Sequence, residues 1–304
     1  MSNYKVTILS PTKRWGGIDI LLHSLKRQTF QDFQCILLDE HYDARYDEIV
    51  QYFDKEWPGI YGDKFIHIKP LPKKSHQYWN LDQALNHGLC LAGGEIIVFW
   101  QDYIWAPADG LEKFVKRIEQ MGDCLISGVG HKACEPSWAV DLQGKISIFT
   151  DYSTPNRCEI SERDKHWGWD KPEGIYYQDP RVRGGGFTPT NPIEWESNYA
   201  ATTKKVCEAI GGFDEDFDAG WGFDNVNFAE RAQAAGYEIW LDEQNIHVGF
   251  THELLFHEEK AKQEAPKNVN MWEPKCEGLQ RGQLPFKVPF LEEARENLKL
   301  GVVA

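Results

Sequence analysis

A chain of 304 residues with 33 Lys and Arg against 47 Asp and Glu has a formal net charge of −14, which argues against broad binding to nucleic-acid backbone and leaves at most a local basic patch, with Arg181 and Arg183 as candidates. The length suffices for one large α/β domain with appendages, and seven cysteines scattered singly, without a CxxC pair or metal-ligand spacing, point to reduced thiols in a cytoplasm. Twelve tryptophans are many for this length; most are expected in the core, and the rest suit flat ligands such as carbohydrate.

No stretch reaches membrane-spanning length, and the opening MSNYKVTILS reads as a first strand rather than a signal peptide. Val6 to Ser10 is an apolar run ended by Pro11, followed by a loop to Gly17 and a helix from about Ile18 to Gln28. A second strand, Gln34 to Leu38, runs into Asp39 and Glu40. Strand, helix and strand in this order make a right-handed βαβ unit whose ligands bind beyond the carboxyl ends of the strands. Asp39 therefore stands either at a ligand edge or as a solvated carboxylate after a strand.

A helix around Tyr46 to Phe53 and a strand around Phe65 to Ile68 continue the alternation, and a helix from about Trp79 to Leu91 ends at Gly93 and Gly94. The strand Glu95 to Trp100 then delivers Gln101, Asp102 and Tyr103, so Asp102 takes the place usual for a metal- or phosphate-contacting acid, or is a plain strand-end carboxylate. Neither GxGxxG after the first strand nor a Walker lysine motif occurs, which weakens dinucleotide and P-loop readings. After a helix from Asp109 to Met121, periodicity degrades between residues 134 and 198, a stretch holding RVRGGGFTPTNP that suits a binding loop or lid with Gly184 to Gly186 as a hinge.

The chain is organised around Gly211 to Glu253. A turn-rich acidic segment leads into a helix from Asp224 to Ala235, with Val226, Phe228, Ala229, Ala232 and Ala235 on its apolar face and Glu230, Arg231 and Gln233 facing away. A short strand around Glu238 to Leu241 follows, then His247 and His252. Asp224 falls at the helix N-terminus beside Trp221, with Gly220 and Gly222 admitting a ligand close to the backbone, which suits a base acting on a sugar hydroxyl. Asp224 alternatively caps the helix, and Trp221 alternatively only packs. The tail from Leu254 is charged and Pro-punctuated, with a terminal helix near Leu291 to Leu300.

Three blocks in order, VTILSPT with SLKRQTFQDFQCILLDE, then LDQALNHGLCLAGGEIIVFWQDYIWAP, then GGFDEDFDAGWGFDN, resemble a nucleotide-sugar glycosyltransferase of the GT-A fold, close to glycosyltransferase family 2, over roughly residues 4 to 255. The third block looks like that of galactosyl- and N-acetylgalactosaminyl-transferases. The implied fold is α/β: a Rossmann-like, mixed, mostly parallel central sheet flanked by helices. A GT-A domain is expected over residues 1–255, with a nucleotide-binding half to 105 and an acceptor half from 106, followed by a C-terminal extension over 256–304.

The resemblance implies that Pro11, Thr12 and Asp39 line the nucleoside pocket, Asp102 holds Mn2+ or Mg2+ on the diphosphate, and Trp221 shapes the sugar pocket. It also implies Asp224 as the acidic residue of the catalytic block, acting as base, and His247 or His252 as completing the metal site; each histidine is equally well an ordinary one. The expected reaction moves a sugar from a nucleotide-diphosphate sugar, with UDP first, to an acceptor hydroxyl on a carbohydrate or other molecule, with inversion. Two departures stand out: one Asp where the family usually has more, and Asn225 where a second acid is common. A catalytically silent nucleotide-sugar or glycan binder, and a nucleotidyltransferase, are the other classes left open. Nucleic acid as a partner is disfavoured by the charge without being excluded.

Overall fold

The computed structural model describes residues 4–13, 17–72, 74, 80–133, 175–177, 179–250 and 258–299. Among these residues ten strands form one sheet: β1 (Val6–Thr12), β2 (Phe33–Asp39), β3 (Phe65–Ile68), β4 (Ile96–Trp100), β5 (Ile104–Trp105), β6 (Cys124–Ala133), β7 (Ile175–Tyr177), β8 (Phe187–Pro189), β9 (Tyr199–Thr203) and β10 (Glu238–Phe250). The order is β3-β2-β1-β4-β9-β6-β10-β5, with β7 on β6 and β8 on β10. β1, β2, β3, β4, β6 and β10 share one direction, and β5, β7, β8 and β9 run against it. The expected mixed, mostly parallel sheet is what the chain forms.

The helices are α1 (Ile18–Lys26), α2 (Tyr42–Glu56), α3 (Leu81–Leu91), α4 (Gly110–Met121), α5 (Lys204–Ile210), α6 (Asp224–Ala234), α7 (Glu258–Gln280) and α8 (Phe290–Lys299). Alternation along the central strands splits their side chains between two cores, which is why these strands read as unbroken apolar runs. Val6, Ile8, Cys35, Leu37, Val98 and Trp100 pack with α1, α2 and α4. Leu9, Ile36, Leu38, Ile97 and Phe99 pack with α3, α5, α6 and Leu291 of α8. Burying each large side chain contributes about 1.5–3 kcal/mol, so both helical layers are strongly fixed. No helix among the described residues is long and apolar enough to cross a membrane.

Three expectations change. The short strand at Glu238 continues to Phe250, because the polar run at Asp242 to Asn245 is a bulge in the pairing with β6 and not a strand end. The tail contains the long helix α7, which Pro266 and Pro274 hide from sequence reading because proline usually ends a helix. Arg231 does not face away: it is 1% exposed. Its guanidinium donates to Ile210 O, Gly212 O and Asn227 Oδ1, each at 2.8 Å. Gly211, at φ 78°, ends α5 where an added Cβ would lie 1.8 Å from Val288 O, so this glycine lets the segment before α8 lie against the fold.

Candidate active site

Three neighbouring parallel strands deliver polar side chains to one edge of the sheet. Asp39 closes β2, Thr12 closes β1 in register with it, and Asp102 follows β4 on the other side of β1. The Thr12 hydroxyl donates to Asp102 Oδ2, and both residues are buried. Pro11, opposite Leu38, precedes Thr12 on the same strand.

The Asp39 carboxylate is fully buried. Its Oδ1 accepts from the Arg45 guanidinium and, at 2.8 Å, from the His41 N–H, while Oδ2 lies 3.0 Å from His67 Nε2. Burial raises its pKa, but the His67 hydrogen bond and the Arg45 charge outweigh burial and hold it below the ordinary value. Tyr42 packs at a tilt against His67 at a ring distance of 4.6 Å, and Tyr46 lies parallel to that imidazole at 6.4 Å. Sequence reasoning found Asp39 and missed Arg45 and His67, since a buried pair from a helix and a neighbouring strand leaves no local pattern.

β3 leads through a loop to α3, which runs back before β4, so the α3 N-terminus lies at this same edge. The Asp218 carboxylate accepts from the Asp82 and Gln83 backbone N–H groups, both at 3.0 Å, and thereby satisfies the orphan donors of that helix end. Asn86 on α3 accepts from Phe213 N–H at 2.8 Å and donates to Phe213 O at 3.0 Å, so its role is structural. These bonds bring the Gly211 segment, and Asp224 with it, to the edge that carries Asp39, Thr12 and Asp102.

Asp224 opens α6, directly after Phe223 in the left-handed region. Its carboxyl, held by its own N–H and that of Asn225, is surrounded by enough protein for burial to push its pKa up to about 6. Trp221, three residues before it, is 42% exposed. The Asn225 amide donates to Trp195 O at 2.8 Å, which fixes the helix start and leaves Asp224 as the acid of this pair of positions.

Asp82 and Asp218, both 1% exposed, sit within electrostatic reach of Asp224. Burial and the neighbouring carboxylates push Asp218 up to about 7 and raise Asp82 well above the ordinary range. Folded-state pKa values above the unfolded ones mean that stability present at low pH is lost as pH rises through them. Asp82→Asn is therefore expected to raise Tm by a few degrees at about pH 8 and by less at about pH 5, read by calorimetry at both.

At the far end of the sheet, His247 on β10 lies opposite Gly130, where an added Cβ would meet its Nε2 at 2.3 Å. Its ring packs edge-on to Tyr199 at 4.9 Å, and burial drives its pKa down to about 3, so it is neutral. Its buried Nδ1 has no partner. His252 lies outside the described residues. Among those described, no three His, Cys, Asp or Glu side chains converge on a metal position. A carboxylate oxygen and an imidazole nitrogen suit a divalent ion in donor type, and donor type alone links Asp102 and His247.

Two other expectations are displaced. Arg181 is buried, with its guanidinium on Asp179, Glu194 O and Glu196, and Arg183 pairs with Glu194, so neither forms an open basic patch. The hinge at Gly184 is pinned: the N–H groups of Arg183, Gly184 and Gly185 all donate to the Glu243 carboxylate, at 2.7, 2.6 and 3.2 Å to Oε2.

A mixed sheet with its polar residues gathered at the carboxyl ends of β1, β2 and β4, and an acidic helix start folded over them, is the GT-A glycosyltransferase architecture. Solved structures with it include S. aureus TarS (residues 1–349) in complex with UDP, at TM-score 0.52 and 12% identity over 81% of this chain and 60% of that one. Another is the mannosyltransferase PcManGT from Pyrobaculum calidifontis in complex with GDP-Man and Mn2+, at TM-score 0.55 and 16% identity over 99% of this chain and 75% of that one. This chain thus spans about 60% of the TarS chain it matches. A search of curated proteins finds no match. The family description Glycosyl transferase family 2 matches residues 11–176, more than half of the sequence. The chain belongs to glycosyl transferase family 2.

Proposed function

We propose that the chain transfers a sugar from a nucleotide-diphosphate sugar, UDP-linked in the first instance, to an acceptor hydroxyl, with Asp224 as base and inversion at the anomeric carbon. What supports this reading is the buried bonding of Asp218 to the N-terminus of α3, which draws the segment before Asp224 toward Thr12 and Asp102, together with the burial that pushes the Asp224 carboxyl up to about 6. A base titrating near working pH combines a deprotonated population with useful proton affinity. Asp224 takes the acceptor proton as the oxygen bonds to the anomeric carbon, and the bond to the diphosphate breaks with its electron pair leaving on the phosphate oxygen. Trp221 presents an exposed ring against which a sugar face can stack.

Thr12 and the neighbourhood of Asp39 receive the nucleoside in this reading, with Pro11 beside them. Asp102, with His247 or His252, would hold Mn2+ or Mg2+, which neutralises charge on the leaving diphosphate when bound. The UDP in the TarS structure and the GDP-Man and Mn2+ in the mannosyltransferase structure support a nucleotide-sugar donor and a metal. A cytoplasmic setting accords with Cys35, Cys90, Cys124, Cys207 and Cys276 as unpaired thiols. We take residues 1–255 as the catalytic domain and 256–304 as an extension joined to it.

The test is a thermal-shift panel of UDP-, GDP-, CMP- and dTDP-sugars, each with Mn2+ and with EDTA. One donor at 100-fold excess over its Kd stabilises the chain by about 2.7 kcal/mol, which raises Tm measurably. The expected result is a shift with a UDP-sugar that EDTA removes. A shift indifferent to EDTA takes the metal out of the mechanism, and no shift with any donor overturns the reading.

A further inference from the structure

We propose that Asn268 of α7 is the positioning residue that fixes the Phe217–Phe223 loop, and through it Asp224, so that the C-terminal helix is part of the catalytic apparatus. Asn268 is 0% exposed, and its amide nitrogen donates at both ends of this loop, to Phe217 O at 2.9 Å and Gly222 O at 2.7 Å. Between these two carbonyls lies Trp221, and two residues after the second comes Asp224. One side chain thus closes the loop as a clasp.

The turn that the clasp closes is strained. Phe223 has φ 67°, the only positive φ at a non-glycine among the described residues. Such a conformation costs about 1–2 kcal/mol for an L-residue and persists only where the surroundings over-determine it. Here they do. The Phe223 ring lies 4.9 Å from Trp272, which stands one helical turn beyond Asn268 on the same face. The Trp272 indole N–H donates to Glu230 Oε2 on α6 at 3.0 Å. Helix α7 therefore holds the backbone before Asp224 through Asn268 and the helix after it through Trp272.

A space-filling role does not explain an asparagine at this place. Its Oδ1 is buried without a partner, a cost that an apolar residue of the same volume would not carry. What the amide adds is two donors aimed at two carbonyls of one loop. A carboxylate acting as base must be held within a fraction of an ångström of its target, and a misplacement of about 1 Å lowers turnover by about 100-fold.

This inference rests on Asp224 as the base, and the test separates the two. Asn268→Asp, equal in size but without the two donors, is compared with the full wild-type chain by amide hydrogen exchange over residues 217–224 and by steady-state transfer. Asn268→Leu serves if the aspartate variant does not fold. Lys275→Ala, which removes ion pairs from the same helix to Asp214 and Asp216 outside the loop, is the control. The expected result is faster exchange over 217–224 and kcat lower by about 100-fold, with donor KM unchanged and the Lys275 variant like wild type. Unchanged exchange, or wild-type kcat with loosened exchange, overturns the proposal. If the wild type transfers no sugar from any donor, the Asp224 reading falls, and the exchange result alone upholds or overturns Asn268 as the anchor of the loop.

Discussion

Asp224→Asn is expected to lower kcat by about 10²–10⁴-fold while leaving donor affinity unchanged. The asparagine is equal in size and keeps an oxygen able to accept from the Asp224 and Asn225 backbone N–H groups, so the fold survives and only proton acceptance is lost. The wild-type profile supplies a second arm. With the carboxyl at about 6, kcat falls as pH drops below that value and levels above it, because only the ionised form accepts a proton. The variant's residual rate lacks this limb. Retained turnover in Asp224→Asn removes the residue from the mechanism, and lost donor binding makes it a binding group instead.

Arg231→Met is expected to lower stability by about 3–5 kcal/mol, the cost of breaking a buried, hydrogen-bonded charge. The guanidinium satisfies Ile210 O and Gly212 O, which no methionine replaces, and it balances the nearby Asp214 and Asp82 charges. Burial lowers its pKa only to about 10, so it is charged throughout the working range. The loss falls where α5, α6 and the Gly211 turn meet, over the aromatic layer of Phe99, Phe213, Phe228 and Trp195. Urea denaturation reads the effect directly. A change within about 0.5 kcal/mol, as for a surface residue, would make Arg231 dispensable to the fold.

The contrast between these two residues shows where the sequence is informative. Both lie on α6, and both are polar residues in a helical pattern. The helix start at Asp224 was legible because a turn-rich stretch with Gly220 and Gly222 gives way there to helical periodicity. Arg231 was misread as solvent-facing because helical periodicity assigns a face to a charge and says nothing of carbonyls arriving from another segment. Asp82 and Asp218 escaped for the same reason. Each is an ordinary acid in its own stretch, and their shared burial exists only once the Phe217 loop lies on α3.

The sequence by itself determined the α/β class, the strands that carry Thr12, Asp39 and Asp102, and the acidic helix start at Asp224. These follow from local periodicity and from strand ends that must lie at one edge of a parallel sheet. Only the tertiary structure decided what surrounds them: Arg45 and His67 on Asp39, the carboxyl cluster beside Asp224, the pinned Gly184 loop, and α7 bonded to the loop before Asp224. Asn268 and Gly222 are 46 residues apart, and so are Tyr199 and Asn245. Hydrogen bonds across such separations depend on how whole helices and strands pack, and no short-range pattern in the chain records them.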